Sequence, residues 1–167
     1  MTPATREGTE TDTDSSFGEW VEALVQAADE LATSALSFDG IERLGETPGL
    51  PDPLEGAFIA LVGEDTNVQF GLVGDETTCA SLARSLLFME PEDELCDEDV
   101  ADAVNEVANI LGGGVKRRMM HRDSTLKLGL PVFIKGTIHS SSHLEAWTVA
   151  VNLGPVPVKL VALRHHS

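Results

Sequence analysis

The run Asp97-Glu98-Asp99-Val100-Ala101-Asp102-Ala103-Val104-Asn105-Glu106-Val107-Ala108-Asn109-Ile110-Leu111, continued by Gly112-Gly113-Gly114-Val115-Lys116-Arg117-Arg118-Met119-Met120, decides how the rest of the chain is read. Advanced by about 100° per residue, Val100, Val104, Val107, Leu111 and Val115 fall in one sector, the apolar face of a helix. Asp102, Glu106, Asn109 and Gly113 gather nearly opposite, at offsets of four, seven and eleven. Such a ridge is ordinarily a solvated helix face, but two features stand out. Asn is a mediocre choice inside a helix. Each glycine of Gly112-Gly113-Gly114 costs about 1 kcal/mol relative to Ala. Two readings follow. Either the helix reaches Met120 and its bare ridge admits the backbone of a partner, or it ends near Leu111 with the glycines as its C-cap.

Working outward, Glu90 to Asp99 holds seven acids in ten residues. It lacks the glycine and ligand spacing of a calcium hand and reads as a solvated linker whose last acids favour the positive end of the next helix. Asp75 opens a helix to about Leu87, with Ala80, Leu82, Ala83, Leu86 and Leu87 as its apolar side. Before it, Ala57–Val62 and Val68–Val73 read as strands joined by the hairpin loop 63–67. Gly40 and the stretch Pro48-Gly49-Leu50-Pro51-Asp52-Pro53 read as breaks. Earlier still, Trp20, Leu24, Ala28, Leu31 and Ala35 form a helical stripe from Phe17 on, with Ser15 or Ser16 as N-cap.

Beyond the central helix lie strand-like runs at Leu126–Leu128, Pro131–Ile138, Leu144–Val151 and Val156–Leu163. Connections this short do not make parallel crossovers, so the expected class is α+β, helices packed on an antiparallel sheet. The expected organisation is a disordered acidic tail over residues 1–16 and a single domain over 17–167.

The chain of 167 residues carries 28 acids against 11 Lys and Arg, a net charge of −17. That balance disfavours nucleic acid and anionic membrane surfaces as partners. Residues 1–99 hold 24 of the acids and three of the bases, whereas residues 100–167 hold four acids and eight bases. The run Lys116-Arg117-Arg118, with His121 and Arg122, reads either as a docking patch for an acidic partner or as a basic helix end favouring the dipole. No apolar run approaches the ~18–20 residues of a membrane span, and the start lacks the pattern of a signal peptide, so a cytoplasmic chain is expected.

Metal and nucleophile signals are weak. Cys79 and Cys96 are too few for a zinc site, and none of His121, His139, His143, His165 and His166 pairs with them at ligand spacing. Ser140-Ser141-Ser142 lacks a nucleophile elbow, and the triple glycine lacks the Gly-Lys-Ser/Thr ending of a phosphate loop. No metal or cofactor of its own is expected.

Asp102-x3-Glu106-x2-Asn109, with Pro131 opening a later strand, resembles the signature of the CheC/CheX/FliY phosphatases, which act on the phosphorylated chemotaxis response regulator. The run from Glu98 to Ile110 is similar to the family's helix, and Gly129-Leu130-Pro131-Val132-Phe133-Ile134-Lys135-Gly136 to the strand after it. Lys116 falls where CheX-like sequences tend to place a lysine, and the single Glu-x2-Asn helix fits CheX rather than CheC. The resemblance covers roughly Phe17–Leu163. It departs at Gly112-Gly113-Gly114, where family members often carry Ala-Gly-Asn.

The resemblance implies that Asn109 orients the attacking water and that Glu106 pairs with the regulator's active-site lysine. It implies that Asp102, Gly113 and Lys116 contact the partner, a phosphorylated CheY-like receiver domain that brings its own Mg²⁺. It also implies a homodimer joined at sheet edges supplied by the late strands. A non-catalytic adaptor using the same helix is the alternative.

Overall fold

The computed structural model describes residues 2–139 and 141–165, with side chains described from Ser16 onward. Its centre is the hairpin β2 (Leu54–Val62) and β3 (Asn67–Gly74), antiparallel and in the register Leu61↔Val68, Ile59↔Phe70, Ala57↔Leu72. Alternate side chains point to opposite faces of a strand. One face carries Ala57, Leu61, Val68, Phe70 and Leu72 into the main core, and the other sends Phe58 and Val73 into a smaller cluster with Leu54, Val161 and Leu163. Phe58 lies across from Gly71, where an added Cβ would fall 2.5 Å from its ring, so glycine makes the room.

Among the described residues, seven strands form one sheet in the order β1-β6-β7-β3-β2, with β4 and β5 both pairing β2, and every pairing is antiparallel. β1 is Ile41–Pro48, β4 is Lys127–Leu128, β5 is Val132–Gly136, β6 is Leu144–Leu153 and β7 is Val156–His165. Three helices, α1 (Thr2–Ser34), α2 (Glu76–Leu86) and α3 (Asp97–Met119), bury their apolar sides against the sheet. The α+β expectation with an antiparallel sheet therefore holds. The hairpin, α2, α3 and the four late strands stand close to their expected bounds.

Two expectations are corrected. The N-cap expected at Ser15 or Ser16 for the helix from Phe17 is the first: α1 is described back to Thr2. Once a helix is nucleated by its packed portion, each further residue adds a hydrogen bond at little extra cost, so an apolar stripe does not mark where the backbone starts. The packed portion is as read: Trp20, Leu24, Ala28 and Leu31 are buried, with the Trp20 and Phe70 rings 6.1 Å apart. Met1 lies outside the described residues.

The second correction is β1. Ile41–Pro48 is a strand along β6 with a bulge between Arg43 and Gly45. All its residues but Ile41 are exposed, so no alternation marks it, and an edge strand tolerates the terminal Pro48. Gly40 is a true break: its φ of 132° is left-handed, and a Cβ there would lie 2.8 Å from Asp29 Oδ1. That oxygen accepts from the Ile41 N–H at 3.1 Å and ties α1 to β1.

α2 shows how a single carboxylate sets a helix start. Asp75 is its N-cap, and Oδ1 accepts from the Thr78 N–H at 2.8 Å. The bond from the Thr78 backbone holds the Asp75 carboxyl below its ordinary value. The contribution is present above the ordinary carboxylate range and lost as the pH falls through the lowered value. Asp75→Ala is expected to lower stability by about 1 kcal/mol in chemical denaturation. An unchanged midpoint would contradict the role of the cap. Below α2, Leu82 and Ala83 are buried, whereas Leu87, past the helix end, is 47% exposed.

Candidate functional site on helix α3

α3 runs unbroken through Gly112-Gly113-Gly114 to Met119, which overturns the reading that it ends near Leu111. Asp97, Glu98 and Asp99 occupy the first turn and Lys116, Arg117 and Arg118 the last, each matching the dipole. Two of the three glycines have packing reasons. A Cβ on Gly112 would lie 2.8 Å from Leu128 Cδ1 and 2.9 Å from Ile59 Cγ2, and one on Gly114 would lie 3.0 Å from Ala27 Cβ. Bare backbone thus seats α3 between α1 on one side and β2 and β4 on the other. Gly113 has no such reason. Its nearest neighbour would be Arg117 Nη1 at 4.0 Å, over open surface.

Val104, Val107, Leu111 and Val115 are buried, and Val100 is half-buried against the same core. The opposite ridge stands outward, with Asp102 and Glu106 exposed and Asn109 and Gly113 half-buried. Lys116, one helical turn beyond Gly112, is half-buried at its flank. Among the described residues, the side chains of Asp102, Glu106, Asn109 and Lys116 make no hydrogen bond or ion pair.

The neighbouring bases are committed. Arg117 and Arg118 pair with Glu30 at 2.8 and 2.6 Å, and Arg118 also donates to the Gly114 carbonyl. His121 Nε2 and Arg122 Nε meet the Glu19 carboxylate at 3.0 and 2.7 Å. The Arg118 bond holds the Glu30 carboxyl below its ordinary value, and the Arg122 bond does the same for Glu19. The basic run therefore faces acids of α1 in its own chain, and among the described residues only Lys116 of the run is left uncommitted. Sequence separation hid this pairing, since Glu30 lies 87 and 88 residues before the two arginines.

One polar residue of α3 was not singled out by the pattern. Asn105 is half-buried, and its Oδ1 is buried without a hydrogen-bond partner. Nothing but its spacing of four from Asn109 could have signalled it.

Other candidates fall away. Among the described residues no group of three His, Cys, Asp or Glu is placed to hold a metal ion. Cys79 and Cys96 are free; burial pushes the Cys79 thiol up to about 12, which makes it unreactive. Ser140 and His166 lie outside the described residues. A cavity of about 460 Å³ lined by Leu54, Val73, Asp75, Thr78 and Lys159 contains no residue of α3. No described helix is long and apolar enough to cross a membrane.

Residues 56–151, from β2 through most of β6 and including all of α3, match the family described as "Chemotaxis phosphatase CheX". The chain belongs to the chemotaxis phosphatase CheX family. Solved structures agree in fold. The crystal structure of a chemotaxis protein CheX from Desulfovibrio desulfuricans aligns with a TM-score of 0.71 at 15% identity, covering 89% of this chain and 99% of that one. CheX from Vibrio vulnificus aligns with a TM-score of 0.69 at 18% identity, covering 87% and 98%. The CheX–CheY–BeF3–Mg²⁺ complex from Borrelia burgdorferi aligns with a TM-score of 0.65 at 22% identity, covering 89% and 98%. No curated protein sequence matches the chain.

Proposed function

We propose that this chain is a protein-aspartyl-phosphate phosphatase that inserts the α3 ridge into the phosphorylation site of a CheY-type receiver domain. The observation that carries the reading is the ridge itself. In a chain of the CheX family, Glu106 and Asn109 stand on one helix face without partners of their own, beside a glycine that packing does not explain. The Borrelia structure, in which a CheX is complexed with CheY, supports the choice of partner.

A phospho-aspartate is an acyl phosphate with a good leaving group, so its hydrolysis needs a placed water more than a strong base. Water attacks phosphorus, the bond from phosphorus to the aspartyl oxygen breaks, and inorganic phosphate and the free carboxylate leave. The charge that spreads over the phosphoryl oxygens is met by the receiver's own lysine and Mg²⁺. Asn109 supplies what the receiver lacks. Its carboxamide oxygen accepts from water while its NH2 can donate, fixing the attack in line.

Glu106, one turn earlier, pairs with the receiver's lysine and sets how deep the helix enters. Asp102 and Lys116 contact the receiver at the periphery, and Gly113 lets its backbone approach. Glu106→Ala is expected to raise KM about tenfold, the worth of one charge-assisted hydrogen bond, and to slow turnover as well. Saturation kinetics against receiver concentration measure both, and an unchanged KM would remove Glu106 from the docking role.

The homodimer belongs to the same reading, with its edge narrowed to one of the late strands. β6 and β7 lie inside the sheet, so the free edges are β1 and the β4–β5 side. Beside the latter, Leu130 is 88% and Val132 56% exposed, which favours β5 as the edge for a second copy.

A further inference from the structure

Asn105 and Asn109 are four residues apart on α3 and therefore neighbours on its surface. Helical side chains lean toward the N-terminus, which carries the Asn109 carboxamide back over the turn that bears Asn105. Among the described residues, Asn105 Oδ1 is the one buried side-chain oxygen or nitrogen without a hydrogen-bond partner. Such an orphaned acceptor is unfavourable, and few are kept without compensation.

The reading of Asn109 above creates a matching need. A carboxamide that presents its oxygen to water must turn its NH2 the other way, and that NH2 needs an acceptor. Glu106 and Asp102 are exposed and, in the reading above, given to the partner, whereas Asn105 is half-buried one turn before Asn109. We propose that Asn105 is a positioning residue: its Oδ1 accepts from Asn109 Nδ2 when α3 engages the receiver, which selects the orientation that aims Asn109 Oδ1 at the attacking water. This rests on the phosphatase reading. Asn105 touches neither substrate nor water and acts through Asn109, so its loss shows in turnover rather than affinity.

The test is steady-state hydrolysis of a phosphorylated CheY-type receiver by the full chain, with thermal midpoints measured in parallel. Asn105→Leu removes the orphaned oxygen and is expected to hold or raise the midpoint, lower kcat about tenfold, and leave KM within about twofold. Asn105→Ala repeats the kinetic result should the larger side chain overpack. Asn105→Asp, isosteric and still an acceptor, is expected to keep kcat within about threefold of wild type. Wild-type kcat in Asn105→Leu and Asn105→Ala would overturn the inference. So would an equal loss in all three variants, or losses that follow a falling midpoint. Failure of the wild-type chain to accelerate hydrolysis is a different result, which removes the phosphatase reading and this inference with it.

Discussion

Asn109→Ala is expected to reduce the acceleration of receiver dephosphorylation by about a hundredfold or more while changing affinity by less than about threefold. The reasoning is one of division of labour on a single helix face. In the proposed reading, receiver affinity comes from Glu106 and from the fit of the ridge, whereas Asn109 holds one water at one angle. Removing a group that acts only in the transition state lowers kcat and kcat/KM together and leaves KM in place. Folding has little to lose, since the Asn109 side chain makes no hydrogen bond among the described residues and Ala is the better helix former. The thermal midpoint of the variant should equal or exceed that of wild type, so inactivity cannot be read as unfolding. Equal and trivial effects of Asn109→Ala and Glu106→Ala on phosphate release would contradict the assignment of both.

Gly113→Leu is expected to move stability and function in opposite directions. A Cβ at this position meets nothing nearer than 4.0 Å, so relief of the glycine penalty should stabilise the chain by about 1 kcal/mol. In the proposed complex the same side chain would stand where the receiver's backbone comes close, and an overpacked contact of this kind should weaken binding by about tenfold or more. Denaturation and receiver titration measure the two arms. A stabilised variant with unchanged affinity would place Gly113 outside the interface. Gly112 offers the contrast: its Cβ would collide with Leu128 and Ile59, so substitution there destabilises the fold itself.

α3 was readable in the sequence because one helix obeys one period. Val100, Val104, Val107, Leu111 and Val115 mark its buried side, and Asp102, Glu106 and Asn109 follow on the other without tertiary information. The hairpin β2–β3 and the late strands were readable for a related reason, since buried strands concentrate apolar residues between turn signals. β1 was not, because an edge strand with exposed side chains leaves no pattern, and its pairing with β6 is a matter of distant backbone.

The start of α1 was hidden too, because cooperative extension carries a helix past its apolar stripe. The glycine triplet shows the limit most directly. Whether it caps or continues the helix depends on Leu128, Ile59 and Ala27, none of them near in sequence. The same holds for the basic end of α3, whose partners Glu19 and Glu30 belong to α1, and for Asn105, whose buried oxygen becomes visible only once the chain is folded.

The most direct measurement is inorganic phosphate release from a phosphorylated CheY-type receiver held in molar excess over the chain. Catalysis by α3 predicts many phosphates released per chain, at a rate proportional to chain concentration and faster than the receiver's own decay. Saturable binding of the phosphorylated receiver with no change in its decay rate would contradict it and leave the Glu106–Asn109 ridge as a docking surface alone.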